Sequence, residues 1–276
     1  METATNSRKP TSNRGFLVGF LQALHLAEFA LRFRNFLFQF LLVDAIRSTV
    51  TGLRYFYFVV ILRRLKTLDP KTGNVIARAV SHNQRNMTGV RGFAVTRSNL
   101  LVHPLSAIRI SKSLPILSIG PRTEGEILNL MGLGFRNVRG LDLISYSPWI
   151  ELGDMHALPY KDNEFSVVIM GWVLAYSSNR NKAALEAVRV VRDGGIIAVG
   201  AASDRSEERA KLPGLPSPQT LGELLGYFDP HVGHLYFAHD FPSFPTVKRC
   251  NLLALFSVKK SPNGPQTDPL SASTSV

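Results

Sequence analysis

The stretch that decides the fold reads PILSIG at residues 115–120, a short run of apolar side chains that ends in glycine. A second run, FSVVIM at 165–170, and a third, GIIAVG at 195–200, have the same texture. Between them, apolar residues recur at helical spacing at 124–135 and 181–191. Fully apolar strands that alternate with helices are typical of a parallel sheet covered on both faces. The sequence therefore predicts a doubly wound α/β domain.

The remaining elements of this domain follow from the same patterns. VRGLDLI at 138–144 predicts a further strand, and a capping box that begins at Thr220 predicts a later helix. The segments at 234–241 and 252–259 predict two strands with no long helix between them, which favours an antiparallel edge pair. We therefore expect a Rossmann-like, mostly parallel sheet with an antiparallel edge pair over residues 113–260.

The charge of the chain is divided unevenly. Of 276 residues with a net charge of +12, residues 1–112 hold 17 lysines and arginines against four acidic residues, whereas residues 113–276 hold 15 against 16. Hydrophobic residues at 45% and charged residues at 19% exclude global disorder, and a single cysteine, Cys250, excludes an internal disulfide. The cationic part predicts a module that meets an anionic surface, joined to a near-neutral domain.

Composition divides the chain into five segments. Residues 1–14 predict a disordered tail, 15–66 predict amphipathic and hydrophobic helices, and 67–112 predict a basic connector. The α/β domain at 113–260 follows, and 261–276 predict a second disordered tail rich in Pro, Ser and Thr.

The helices of segment 15–66 are expected to lie in a membrane interface. Its charge-free stretches are all shorter than the roughly 20 residues that a spanning helix needs. Over residues 16–32 the apolar and polar side chains fall on opposite sides of a helix, and helix breaks are predicted at Asp44 and at 48–52. Seven cations are expected to reach lipid headgroups: Arg32, Arg34, Arg47, Arg54, Arg63, Arg64 and Lys66.

Other readings of this cationic part stay open. A helical subdomain packed on the catalytic domain or on a partner is the main alternative, and the basic, Ser/Thr-rich residues 1–14 also fit organelle targeting. Nucleic acid is a less favoured partner, because the aromatic residues lie in nearly continuous apolar runs rather than on a polar platform. We expect a membrane-associated protein on a reducing, cytoplasmic-type side of the membrane.

Four features follow the carboxyl ends of predicted strands, where ligands bind in such a sheet. They are the turn at 120–125, Asp142, the segment GDMH at 153–156 and Gly171. The carboxylate of Asp142 can accept both hydroxyls of a ribose, and that of Asp154 can accept from the amine of an adenine. Glycine at 120 allows a close approach of the backbone, and Gly171 leaves room for the amino-acid or phosphate end of a ligand.

The blocks ILSIG, GLDL, GDMHALPYKDNEFSVVIMGWVL and RVVRDGGIIAVG resemble, in this order, class I S-adenosylmethionine-dependent methyltransferases over about residues 113–200. The resemblance implies a methyltransferase with S-adenosylmethionine as cofactor and a methyl acceptor near Gly171–Tyr176. No metal site is expected, because alternation along the strand at 234–241 places His234 and His239 on opposite faces. His156 is a candidate base, although packing over the ligand is its simpler role, and Tyr176 is a candidate for the acceptor site. The implied cofactor contacts are Gly120, Pro121, Arg122, Asp142, Leu143, Asp154, Met155 and Gly171.

The sequence departs from the family pattern at two places. Ser118 stands where an acid is common, and Arg122 and Glu124 replace the second and third glycines of a G-x-G-x-G loop. An arginine here either fills part of the cofactor pocket or grips the cofactor's carboxylate. Only 12 positions separate Asp142 from Asp154, too few for the usual helix and strand.

These departures leave three hypotheses about function. The leading hypothesis is a methyltransferase that acts at a membrane surface on a small or lipid-linked acceptor. The first alternative is a catalytically inactive scaffold tethered to a membrane. A nucleic-acid methyltransferase is the weaker alternative.

Overall fold

The computed structural model describes residues 32–68, 96–204, 217–241 and 248–260, together with the single positions Val80, Gln84, Met87 and Phe93. The predicted tails at 1–14 and 261–276, and nearly all of the amphipathic helix predicted over 16–32, lie outside the described residues.

A seven-stranded sheet forms the centre of the domain. The strands in chain order are β1 (Lys66–Thr67), β2 (Pro115–Ile119), β3 (Asn137–Asp142), β4 (Ile144–Ser145), β5 (Ile150–Leu152), β6 (Phe165–Gly171), β7 (Val191–Asp204), β8 (Val232–His239) and β9 (Arg249–Val258). Their order across the sheet is β5-β3-β2-β6-β7-β9-β8, while β1 pairs with β4 apart from it. The first five strands are parallel, and β9 is antiparallel to both β7 and β8. This order confirms the predicted Rossmann-like sheet with a reversed edge.

Five α-helices accompany the sheet in the described part of the chain: α1 (Asp44–Tyr55), α2 (Asn99–Ala107), α3 (Gly125–Gly132), α4 (Arg180–Val190) and α5 (Leu221–Gly226). Residues 32–39 are also helical and lead through a short turn into α1, which continues as π-helical turns over Phe56–Ile61. The predicted capping box is confirmed, since the Thr220 hydroxyl accepts from the Glu223 amide at 3.1 Å.

Two hydrophobic layers cover the two faces of the sheet. Alternate side chains of one strand enter opposite layers, so Leu117 packs on the side of α4 and α5, and Ile116 packs on the side of α2 and α3. Val168 and Ile169 divide in the same way along β6. Burial on both faces explains why these strands are apolar at nearly every position.

The short segment after Asp142 contains a sheet strand, β5, but no helix, as its length predicts, and the backbone amide of Gly153 turns back to the Asp142 carbonyl at 3.0 Å. One local expectation was wrong. Helix α1 is unbroken at 48–52, where the hydroxyls of Ser48, Thr49 and Thr51 donate to carbonyls four residues earlier. The predicted break at Asp44 is confirmed by a bend of 102° between Arg32–Leu42 and Asp44–Ile61.

Two of the seven cations expected at lipid headgroups face the protein instead. Arg47 is 1% exposed, and its Nη1 donates to the Leu41 carbonyl at 2.8 Å and to Oδ1 of Asn129 on α3 at 3.4 Å. Arg54 pairs with Glu124, at the start of α3. Both bonds arise because α1 lies against α3, so part of segment 15–66 is packed on the α/β domain.

Membrane-crossing length is not reached by any single helix of the described segments. The bent pair Arg32–Leu42 and Asp44–Ile61 has the length and apolar composition of a membrane span only when its two helices are taken together.

Candidate functional site

A pocket opens at the carboxyl ends of β2, β3 and β6. Pro121 is the one predicted site residue outside its lining, because its buried ring lies against β3, 2.9 Å from where a Cβ on Gly140 would stand. Arg97 and Ser178 also line the pocket, although their sequence context gave no signal for it. The other nine predicted residues all line it: Gly120, Arg122, Asp142, Leu143, Asp154, Met155, His156, Gly171 and Tyr176.

The turn after β2 is held in shape by Asp142. Oδ2 of this carboxylate accepts from the Arg122 amide at 2.9 Å, and Oδ1 accepts from the Ile144 amide at 3.2 Å. Burial raises the pKa of Asp142, while these amides and the Arg122 guanidinium act in the opposite direction. The carboxylate therefore fixes the turn and also faces the pocket.

Two residues of this turn have left-handed backbones. Gly120 has φ +71°, and a Cβ there would lie 2.3 Å from Cγ1 of Val173, so glycine is required by packing as well as by conformation. Arg122 has φ +59°, and its buried Nε has no hydrogen-bond partner among the residues that the structure describes. The Arg122 guanidinium thus lines the pocket and can donate a further hydrogen bond to a ligand.

Glu124, in place of a family glycine, anchors the helical segment. It is fully buried, and both of its carboxylate oxygens accept from the Arg54 guanidinium, with Nη2 to Oε1 at 2.9 Å. The guanidinium carbon of Arg54 lies 3.8 Å from the ring centre of Trp149. The Glu124 amide donates to the Tyr146 hydroxyl at 3.0 Å, and that ring contacts Tyr55 edge-on. Glu124 therefore joins the turn to α1.

His156 bridges two loops of the pocket. Its Nδ1 lies 2.6 Å from Oδ1 of Asp154, and its Nε2 lies 2.7 Å from the hydroxyl of Ser177. Because both ring nitrogens are engaged, the geometry fits a positioning role better than that of a free base. Ser177 is 3% exposed and is not placed as a nucleophile.

A second carboxylate, Glu126, lies behind the pocket and was missed by the sequence reasoning. It is 5% exposed, and its Oε1 accepts from the Ser118 hydroxyl. Burial raises the pKa of Glu126 to about 6, against a smaller opposite effect of the Ser118 hydrogen bond. The family commonly has an acid on the strand, at the position of Ser118. The available signal was that this chain has an acid eight positions later, at Glu126.

Residues 119–199 match the family described as a methyltransferase domain. The chain therefore contains a methyltransferase domain at residues 119–199. The match confirms the predicted superfamily, and it bears out the predictions of a methyltransferase and of S-adenosylmethionine as its cofactor. The roles of individual site residues stay predictions.

Several solved structures resemble the domain distantly. The N-methyltransferase NodS from Bradyrhizobium japonicum WM9, in complex with S-adenosyl-L-homocysteine, is 13% identical, with 64% of this chain and 97% of that chain covered and a TM-score of 0.47. A Methanosarcina mazei methyltransferase is 15% identical, with 56% of this chain and 97% of that chain covered and a TM-score of 0.43. YcgJ from Bacillus subtilis is 11% identical, with 60% of this chain and 98% of that chain covered and a TM-score of 0.41. No curated protein matches the sequence.

A second cavity adjoins the pocket of the methyltransferase domain. The two share Arg97, Trp172 and Tyr176 as walls, and the second extends towards Asp204 and Arg249. The Arg97 guanidinium carbon lies 5.1 Å from the centre of the Trp172 ring. Tyr176, a predicted acceptor-site residue, therefore stands between the two cavities.

Arg54→Ala is expected to destabilise the protein by about 3 kcal/mol, because Glu124 would remain buried without its cation. The double variant Arg54→Ala, Glu124→Gln should recover part of this loss, since the unpaired charge is gone. Chemical denaturation of the full double-mutant cycle measures the coupling, with the exposed Arg63→Ala as the control. Simple additivity of the two single changes would contradict a clasp between turn and helix.

Glu126 makes the stability of the protein depend on pH. Since folding raises its pKa from an ordinary 4.5 to about 6, the folded state binds the extra proton, and the free energy of unfolding falls as pH rises through this interval. Glu126→Gln should therefore be more stable than wild type above pH 6 by about 2 kcal/mol, and equal to it below pH 4.5. Thermal denaturation at pH 4 and pH 7.5 checks this; the same difference at both values would refute it.

Proposed function

We propose that the protein transfers a methyl group from S-adenosylmethionine, held in the pocket, to a small or lipid-linked acceptor presented at a membrane surface. One observation carries the catalytic part: residues from four separate segments, predicted from the strand ends alone, line a single pocket. When bound there, the cofactor supplies an activated methyl group. The chain's own contribution is to bind, orient and exclude water.

The residues present fit this cofactor. Asp142 and Asp154 line the same pocket, which suits acceptors for ribose hydroxyls and for an adenine amine. The buried Nε of Arg122 has no partner among the described residues, so its guanidinium suits a ligand carboxylate. Arg122 also lines the pocket, so this unpartnered donor favours gripping the ligand's carboxylate over blocking the site.

The neighbouring cavity suits the methyl acceptor. Trp172 and Tyr176 line both cavities. An acceptor bound in the second cavity would therefore lie beside the cofactor pocket, in contact with these two aromatic side chains. Trp172 is held in place by a hydrogen bond from its Nε1 to Oδ1 of Asn251 at 3.1 Å. An arrangement of this kind promotes methyl transfer through positioning, without a dedicated base.

The alternative of an inactive scaffold loses its main motivation. It rested on Arg122, Glu124 and the short span between Asp142 and Asp154. Glu124 is directed to Arg54 and away from the pocket lining, and the short span still places both aspartates in that lining. The nucleic-acid alternative is weakened because Arg47 and Arg54, two cations of the basic segment, are bonded within the protein.

The membrane part of the proposal is supported by the inverted polarity of α1. Its buried residues are Arg47 and Thr51, whereas its exposed side chains include Ile46 and the 65%-exposed Leu53. Of 18 large apolar side chains exposed in the described residues, 14 lie between positions 33 and 65. An apolar face of this extent requires a covering surface.

Charge selects an anionic lipid surface as the occupant of this face. Asp44 is the only acidic residue in 32–68, and it pairs with Arg47. Snorkelling cations beside embedded apolar side chains are typical of interfacial helices. A methyltransferase placed in this way would work at the cytoplasmic-type side of a membrane. The exposed cations of the segment are Arg32, Arg34, Arg63, Arg64 and Lys66.

S-adenosylhomocysteine, the demethylated cofactor, is expected to bind the full-length protein saturably in calorimetry. Asp142→Ala should weaken this binding roughly tenfold or more, because a buried charged acceptor is lost. Asp162→Ala, which removes an exposed carboxylate paired with Arg189, is the matched control. Absence of binding to well-folded wild-type protein would overturn the catalytic proposal.

Flotation with vesicles tests the membrane part separately. The protein should float with vesicles that contain phosphatidylserine, and less with phosphatidylcholine alone or at high salt. The double variant Leu53→Glu, Ile61→Glu should stay at the bottom, since charges then interrupt the apolar face. Leu185→Glu, which changes an exposed leucine on α4, should float like wild type. If wild type fails to float with any vesicle, lipid is not the occupant.

A further inference from the structure

We infer that Glu126 recognises the α-ammonium group at the amino-acid end of the cofactor, and so replaces the acid that the family carries at the position of Ser118. The inference rests on the proposed function, because it names the group that holds one part of the same ligand. It makes Glu126 a specificity-determining residue that the sequence pattern of the family does not indicate.

The carboxylate of Glu126 is only half used by the protein. One oxygen, Oε1, accepts from the Ser118 hydroxyl, and the structure gives Oε2 no hydrogen-bond partner in the described part of the chain. No lysine or arginine of the described segments forms an ion pair with it. A buried carboxylate in this condition needs either a proton or a cation from outside.

The free oxygen lies beside the pocket. Oε2 is 3.7 Å from the point that a Cβ on Gly171 would occupy, and the next neighbour of that point, Cδ1 of Leu101, is 3.8 Å away. Gly171 itself lines the pocket and ends β6, next to β2 in the sheet. The missing side chain of Gly171 therefore leaves space for a ligand group to approach the carboxylate.

Adenosine and the amino-acid end are bound at different places in this arrangement. Asp142 and Asp154 lie on the side of β3 and β5, whereas Gly171 ends β6 and the Glu126 carboxylate approaches it from α3. The amino-acid end carries one cation suited to Glu126 and one carboxylate suited to Arg122. Burial raises the pKa of Glu126 to about 6, and an ammonium group beside the carboxylate would favour its ionised form.

The test compares S-adenosylhomocysteine with its deamino analogue, which keeps the adenosine and the carboxylate but lacks the ammonium. Wild-type full-length protein should prefer S-adenosylhomocysteine by roughly tenfold or more in calorimetry, as expected for a hydrogen bond between charged groups. Glu126→Gln should lose most of this preference while it binds the deamino analogue about as well as wild type does. Glu164 precedes β6 and pairs with Arg139 of β3. The control variant Glu164→Gln should keep the preference.

Ser118→Ala separates recognition from a purely structural role. The glutamine amide in Glu126→Gln still offers an acceptor to the Ser118 hydroxyl, so a structural role predicts a mild effect of Glu126→Gln and a larger effect of Ser118→Ala. Recognition of the ammonium predicts the reverse order for the ratio of the two affinities. A Ser118→Ala variant that keeps the wild-type ratio supports the inference.

The outcomes also distinguish this inference from the proposed function. If folded wild-type protein binds neither compound, the proposed function fails. If it binds both equally, or if Glu126→Gln retains the full preference, the cofactor site stands and the role of Glu126 is refuted. A folding defect in Glu126→Gln is detected independently by thermal denaturation, where the variant should be the more stable protein at pH 7.5.

Discussion

The ion pair between Arg54 and Glu124 is the constraint on which the site depends. A fully buried carboxylate costs several kcal/mol unless a cation and hydrogen bonds compensate it, and Arg54 supplies both from outside the α/β domain. Docking of α1 therefore helps to hold the turn between β2 and α3, in addition to the hydrogen bonds of Asp142. The helical segment is in this sense a structural part of the cofactor site and not an appendage to it.

Around this clasp, loops that are distant in sequence are tied to one another by short polar contacts. Asp142 ties the turn after β2 to the end of β3, and His156 ties the loop after β5 to Ser177 beyond β6. In each of these contacts a charged or polar side chain makes the pocket more rigid. A reaction that needs mainly orientation benefits from this, because a preorganised pocket avoids the cost of ordering its loops on binding.

The sheet and the location of the pocket were predictable from the sequence, because both follow from local patterns. Continuous apolar runs mark two-faced strands, and residues at their carboxyl ends must converge. The contacts of Glu124 and Glu126 were not predictable, since they depend on which helix packs over the turn and on which strand residue faces α3. Arg47 shows the same limit: its pattern in sequence fits a lipid-facing cation, and only the packing of α1 against α3 places it inside.

Helix α1 joins the two halves of the proposed function in one rigid element. Its inward side chains, Arg47, Thr51 and Arg54, recur at helical spacing, and the two arginines hold the domain through polar contacts. Its outward side chains include the apolar Ile46 and Leu53 beside two polar ones, so the polarity of an ordinary surface helix is partly reversed. Hence a surface that covers that face also fixes where the cofactor turn stands relative to the acceptor, and lipid-linked acceptors would gain most from that arrangement.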